Sequence, residues 1–187
     1  MFMSIQRFFL LAAAMTLTLG TAVAQDGGGK AEARRQEIDS NAQRTLDELF
    51  AAQPDAKDLF GKAAGYAVFT ATKAGFIVSG GSGTGVVIDK ASGKRTYMRM
   101  GTGGIGLGIG AQRYSLVIMF EDAARLERFV QGGWDSSATA EAAAGKEGVA
   151  VRSSFINGVA FFQLTDKGLM AHADVTGTRF WVIDDLK

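Results

Sequence analysis

The sequence has no cysteine, one histidine and one proline among its 187 residues. Without cysteine the protein has no disulfide bond, thiolate metal site, cysteine nucleophile or lipid anchor on an N-terminal cysteine. One histidine, His172, is too few for a typical zinc site, and the chain has no GxSxG motif that would mark a serine nucleophile. We therefore expect a protein that is not an enzyme and uses no metal or cofactor.

Long hydrophobic runs are also lacking, apart from a stretch over 8–19 that is too short to span a bilayer, which needs about 20 residues. This stretch follows Arg7, the only charge in the first 25 residues, and leads to the small residues Ala22 and Ala24. The pattern is typical of a secretory signal peptide over 1–24, cleaved after Ala24. We expect export to the periplasm, with the mature chain beginning at Gln25.

Net charge is small as well. Removing Arg7 takes the basic count from 20 to 19, equal to the 19 acidic residues. A neutral mature chain gives no reason to expect nucleic acid, whose binding depends on a strongly basic surface.

Two helices are predicted after a flexible leader over 25–29 that contains three consecutive glycines. In the first, over 30–53, Ile38, Ala42, Leu46 and Leu49 recur at helical spacing before Pro54. The second covers 55–62. The rest of the single domain, 63–187, alternates with a period of two and predicts a sheet-rich body.

The predicted strands cover 66–70, 76–79, 84–88, 96–100, 105–109, 114–120, 149–156, 159–164, 169–175 and 179–183, with a helix over 121–131. The loop 89–94 and the Asn157-Gly158 pair are typical of hairpin turns. The fold class is therefore α+β, with a largely antiparallel, glycine-rich curved sheet or half-barrel covered by a few helices.

Glycines alternate with larger residues in two predicted strand segments. On a strand each set would line one face, and because glycine there costs about 0.5–1 kcal/mol relative to alanine, a row of them needs a reason. We favour a structural reason, in which the sheet bends or a second layer approaches; the alternative is the floor of an acyl-chain groove. The glycines are Gly81, Gly83 and Gly85, and Gly104, Gly106, Gly108 and Gly110.

Residues 101–106 also fit GxGxxG, but they lead into a strand instead of a helix, so no dinucleotide site is predicted.

Several ordered stretches together resemble the SYLF domain family. They are 62–69, 73–76, 80–85, 104–115, 133–134, 167–171 and 177–179. The resemblance implies binding to membrane phospholipid without a chemical reaction, and in eukaryotic members also binding to actin filaments. Because this chain is predicted to be exported, we do not expect actin as its partner.

Two basic clusters are candidates for lipid contact. In eukaryotic SYLF proteins a basic amphipathic N-terminal helix contributes, and the residues here that correspond are Lys30, Arg34 and Arg35. The second cluster consists of Lys73, Phe76, Lys90, Lys94, Arg95 and Arg99. Acidic neighbours dilute the first cluster, and basic residues around a hairpin are often only solvated.

Two functions remain open at this point. One is a periplasmic module that binds anionic phospholipid peripherally. The other is a structural or protein-interaction domain of the cell envelope, which would use a sheet edge or the glycine-lined face to hold an envelope partner.

Overall fold

The computed structural model describes residues 25–75, 78–105, 110–132, 154–166, 168–169 and 177–187. The helices are α1 Gln25–Ala52, α2 Asp55–Lys62 and α3 Ala123–Val130. The strands are β1 Gly65–Gly75, β2 Val78–Asp89, β3 Arg95–Ile105, β4 Gly110–Phe120, β5 Val159–Thr165, β6 Gly168–Leu169 and β7 Thr178–Val182. A 3-10 turn, Asp184–Leu186, follows β7. The predicted signal peptide over 1–24 lies outside these residues, as do most of the strands predicted over 149–156 and 169–175.

Helix α1 forms where the apolar stripe predicts it, and Ile38, Ala42, Leu46 and Leu49 are all buried. The helix begins at Gln25, so the prediction of a flexible leader over 25–29 was wrong. A nucleated helix gains one hydrogen bond for each residue added, which can offset the cost of about 1 kcal/mol for each glycine. Helix α2 has the predicted bounds.

The seven strands form one antiparallel sheet in the order β6-β5-β4-β1-β2-β3-β7, which confirms the α+β class. Strand β2 is continuous although two strands were predicted there, over 76–79 and 84–88. It pairs along its whole length with β1 on one side and β3 on the other, so its glycines do not interrupt the ladder.

The sheet carries a separate core on each face. On the first, here the α1 face, Val68, Val86 and Val117 pack with the apolar stripe of α1. On the second, the α3 face, Phe69 of β1 lies 4.9 Å from Phe180 of β7 between ring centroids. Two strands separate β1 from β7, and strands are about 4.8 Å apart, so such a contact requires a strongly curved sheet.

Three glycines of β2, Gly81, Gly83 and Gly85, lie on the α3 face close to β1. A Cβ atom on Gly83 would lie 2.6 Å from the Cβ of its partner Ala71, and one on Gly85 would lie 2.7 Å from Cγ of Phe69. Gly81 is similarly close to β1, with Lys73 Cα at 3.0 Å. These contacts favour the structural explanation of the row over an open acyl-chain groove.

The second glycine set does not line one strand, as had been expected. Gly104 pairs with β2 near the end of β3, whereas Gly110 begins β4 and pairs with β1. Gly106 and Gly108 lie outside the described residues. The alternating pattern identified strand-forming sequence correctly but carried no signal for where one strand ends and another begins.

Both predicted hairpin turns are confirmed. The loop 89–94 joins β2 to β3, and Asn157 and Gly158 have φ values of 51° and 74° next to the Ile156–Val159 bridge. Two successive positive φ angles are the geometry of a type I′ turn, which asparagine followed by glycine favours.

Candidate functional site

Helix α1 covers only part of the α1 face, and polar side chains lie on the remainder. There the strand register places residues in two rows across the sheet. The first row is Ser115, Thr70, Thr84, Arg99 and Trp181, and the second is Arg113, Thr72, Ser82, Gly101 and Arg179. Each row crosses β4, β1, β2, β3 and β7 in turn, so residues far apart in sequence become direct neighbours.

The flank of α1 that overhangs these rows is polar too. Arg34, Glu37, Asn41, Arg44 and Glu48 follow one another at three- and four-residue spacing, which puts them on one side of the helix. The apolar stripe beside them packs on the sheet core. The helix therefore forms one wall over a polar floor.

Between this wall and the floor is a groove of about 410 Å³. We call it the arginine groove. Its polar lining comprises Arg34, Glu37, Asn41, Thr70, Thr72, Ser82, Thr84, Arg99 and Arg113, with Trp181 at its β7 side. Volumes of this size are typical of pockets for small ligands.

The arginine groove has an excess of positive charge. Three arginines line it against one carboxylate, that of Glu37. Among the described residues, Arg34, Arg99 and Arg113 form no ion pair and no side-chain hydrogen bond. Their guanidinium groups are therefore available to an anion from outside.

Trp181 is the one large hydrophobic side chain that is exposed in the described part of the chain, with 47% of its surface accessible. It is the cross-strand partner of Arg99. Its ring lies against Gly101, where an added Cβ would be 3.0 Å from the indole Cη2 atom. The structure thus places an exposed aromatic ring beside the arginine groove.

A second groove of about 450 Å³ adjoins the first and shares Asn41, Thr70 and Arg113 with it. Its lining includes a further arginine, Arg44, but also the carboxylates of Glu48 and Asp166. Its charges are balanced, so it attracts anions less than the arginine groove does.

Three of the basic residues proposed from the sequence make structural contacts instead of facing the arginine groove. Arg35 donates to the carbonyl oxygens of Leu186 and Lys187, at 3.3 and 3.1 Å, and pairs with Glu32. These bonds fasten the C-terminal turn to α1.

Lys90 donates to the carbonyl oxygens of Phe60 and Gly61, at 2.8 and 3.2 Å, and its ammonium lies 4.9 Å from the Phe60 ring centroid. It therefore stabilises the C-terminal end of α2, where a cation is favourable.

Arg95 pairs with Asp39 of α1 at 3.0 Å, and the hydroxyl of Tyr97 donates to the same carboxylate oxygen at 3.1 Å. Burial, followed by the negative charge of Asp39, raises the pKa of Tyr97. This network joins β3 to α1.

The remaining candidates are spread over the molecule. Lys30 and Lys73 each interact with another group, and Lys94 is exposed in the β2–β3 hairpin. Phe76 lies outside the described residues. Of the basic candidates, only Arg34 and Arg99 therefore meet at the arginine groove.

The sequence analysis missed Arg113, Trp181 and the hydroxyl residues of the floor. Period-two alternation in β1, β2 and β4 places Thr70 with Thr72, Ser82 with Thr84, and Arg113 with Ser115 on common faces. That signal was present, but the pairing of the strands was needed to bring them together.

Within the described residues, no cluster of histidine and acidic side chains could hold a metal ion. None of the helices described combines the length and apolar character required to cross a bilayer. His172 lies outside the described residues.

Comparison with known proteins supports the family resemblance. Residues 101–186 match the family described as Ysc84, Las17-binding protein actin regulator. Beta cell expansion factor A of Aeromonas veronii is 39% identical over 156 residues, which make up 83% of this chain and 60% of that protein. The chain thus spans less than two thirds of this relative's length. Residues 101–186, which include the end of β3 and all of β4 and β7, are therefore similar to the Ysc84, or SYLF, family.

Proposed function

We propose that the protein is an exported, non-catalytic module that binds anionic phospholipid at a membrane surface of the cell envelope. The single observation that carries this proposal is the arginine groove, which is lined by three guanidinium groups that form no ion pair with any described residue. The similarity of residues 101–186 to a family known for lipid binding supports it.

Electrostatics gives the expected strength of this contact. An arginine near an anionic surface contributes about 1 kcal/mol, so three together contribute about 3 kcal/mol, or roughly a hundredfold in affinity. Attraction of this size favours the membrane surface for a chain whose overall charge is close to neutral. Screening within about 8 Å at physiological salt makes it strongly salt-dependent.

Vesicle flotation tests the proposal. We expect capture by vesicles of equal parts phosphatidylglycerol and phosphatidylcholine, no capture by phosphatidylcholine alone, and release at high salt. Arg34→Gln and Arg113→Gln should each weaken capture several-fold.

Two matched variants control for net charge. Arg35→Gln removes the same charge from the neighbouring position of α1, and Arg128→Gln removes it from the exposed surface of α3. Both should bind nearly as the unmodified protein does. Equal losses in all four variants would mean that the arginine groove is not the contact, and no capture at all would refute lipid binding.

The alternative, a protein-interaction domain, predicts that vesicles do not capture the protein at all. The described part of the sheet ends in β6 and β7, and an outer strand can pair with a partner chain. Absence of capture together with a defined oligomer or complex would favour this alternative.

A further inference from the structure

The floor of the arginine groove carries hydroxyl groups in addition to charges. Thr70 of β1 lies directly opposite Thr84 of β2, and Thr72 lies opposite Ser82. Among the described residues none of these four side chains forms a hydrogen bond that would occupy its hydroxyl. Four neighbouring hydroxyls are therefore available on one small area of the sheet.

The register also fixes where the guanidinium groups lie relative to these hydroxyls. Arg113 is the β4 neighbour of Thr72, and Arg99 is the β3 neighbour of Thr84. The hydroxyl patch is thus flanked by an arginine on each side, and Arg34 approaches from α1 above it.

We propose that the arginine groove is a discrete site for one phosphate group, held by Arg34, Arg99 and Arg113 and by the hydroxyls of Thr70 and Thr84. The inference deepens the proposed function and rests on it, because the phosphate would be that of a phospholipid head group. It goes further by requiring hydrogen bonds of fixed geometry, which a diffuse basic surface does not.

The donor types suit this chemistry. A guanidinium group presents a planar fork that binds two phosphate oxygens at once, and a hydroxyl adds a single, rotatable donor. A carboxylate ligand would need fewer donors than line this groove. The amide of Asn41 also lines the site and can donate to an ester or glycerol oxygen of the same ligand.

A variant that loses hydroxyl groups but keeps every charge distinguishes a discrete phosphate site from a diffuse basic surface. In Thr70→Val/Thr84→Val both hydroxyls are lost and every charge is kept. We expect this variant to bind glycerol 3-phosphate at least about a hundredfold more weakly in calorimetric titration, as two hydrogen bonds to a charged ligand would predict.

The matched controls keep the hydroxyl or remove one elsewhere. Thr70→Ser/Thr84→Ser should bind nearly as the unmodified protein does. Thr96→Val removes a hydroxyl from the α3 face of β3 and should have no effect. If the valine variant did not fold, as judged by circular dichroism, each single Thr→Val variant would be titrated instead, with at least about tenfold weakening expected.

The ligand source is decided by three probes: inorganic phosphate, glycerol 3-phosphate, and the anionic vesicles described above. Loss of both glycerol 3-phosphate binding and vesicle capture in the valine variant would support a head-group site. Equally tight binding of inorganic phosphate without vesicle capture would support a site for free phosphate and would refute the proposed membrane function.

Two results would refute the discrete phosphate site. If the valine variant were captured by vesicles as well as the unmodified protein while Arg113→Gln was not, binding would be diffuse; the proposed function would stand and the discrete site would not. Absence of saturable binding of either soluble probe, with vesicle capture intact in the valine variant, leads to the same conclusion.

Discussion

Replacing Gly83 or Gly85 of β2 by alanine tests whether these glycines are there to allow close packing. A Cβ on Gly83 would lie 2.5 Å from the carbonyl oxygen of Thr70 and 2.6 Å from Cβ of Ala71. Because two of these contacts involve backbone or the first side-chain atom, rotation of a side chain cannot relieve them. We expect Gly83→Ala and Gly85→Ala each to destabilise the fold by about 1–3 kcal/mol, the usual cost of overpacking.

Two other glycines in the same sheet provide the matched control. An added Cβ on Gly80 or Gly103 would have nothing within 4 Å. Alanine there should be neutral or stabilising by up to about 1 kcal/mol, because it lowers the entropy of the unfolded chain.

Urea unfolding followed by circular dichroism measures these differences, and a thermal melt should show a shift of about 2–4 °C for each kcal/mol in a chain of this size. Equal effects of alanine at the packed and the open positions would refute the explanation. The acyl-chain groove would then explain the glycine row better than close packing does.

Three further outcomes follow from the contacts of single residues. With Trp134→Phe leaving Trp181 as the only one of the two tryptophans, anionic vesicles should shift its emission to the blue and neutral vesicles should not; an unshifted spectrum during vesicle capture would show that the indole does not reach the interface. Arg35→Gln should speed amide exchange at Leu186 and Lys187 by about tenfold, since it removes their bonds to α1; unchanged exchange would contradict the role of Arg35 in holding the C-terminal turn. Asp122→Ala should cost about 1 kcal/mol in urea unfolding at neutral pH, because Asp122 caps α3 through the backbone N–H of Arg125 at 2.8 Å. This same bond lowers the pKa of Asp122, so the stabilisation is present above the usual aspartate range and is lost as pH falls through the lowered pKa; a difference between variant and unmodified protein that did not narrow in acid would contradict this.

Local sequence patterns were sufficient to identify most elements of the fold. The stripe from Ile38 to Leu49 identified the buried side of α1, and the Asn157-Gly158 pair identified a type I′ turn. Such features depend on residues close together in the chain, where period and backbone preference act directly. The same patterns failed at the leader over 25–29, where extension of an existing helix outweighs the preference of glycine for irregular backbone.

Local sequence patterns predicted only part of the candidate site. Arg34 and Arg35 are adjacent and chemically identical, yet one faces the arginine groove and the other fastens the C-terminal turn. Composition cannot distinguish them, because their roles depend on the angle at which α1 crosses the sheet.

The sequence by itself determined that the chain has an apolar helix stripe and a glycine-rich antiparallel sheet. Only the tertiary structure decided that Arg99, Arg113 and Trp181 share a face with four hydroxyls. The physical reason is strand register: β4, β1, β2, β3 and β7 meet in an order different from their order in the chain. Side chains as far apart in the chain as Arg99 and Trp181 become neighbours only when that order and each pairing offset are fixed.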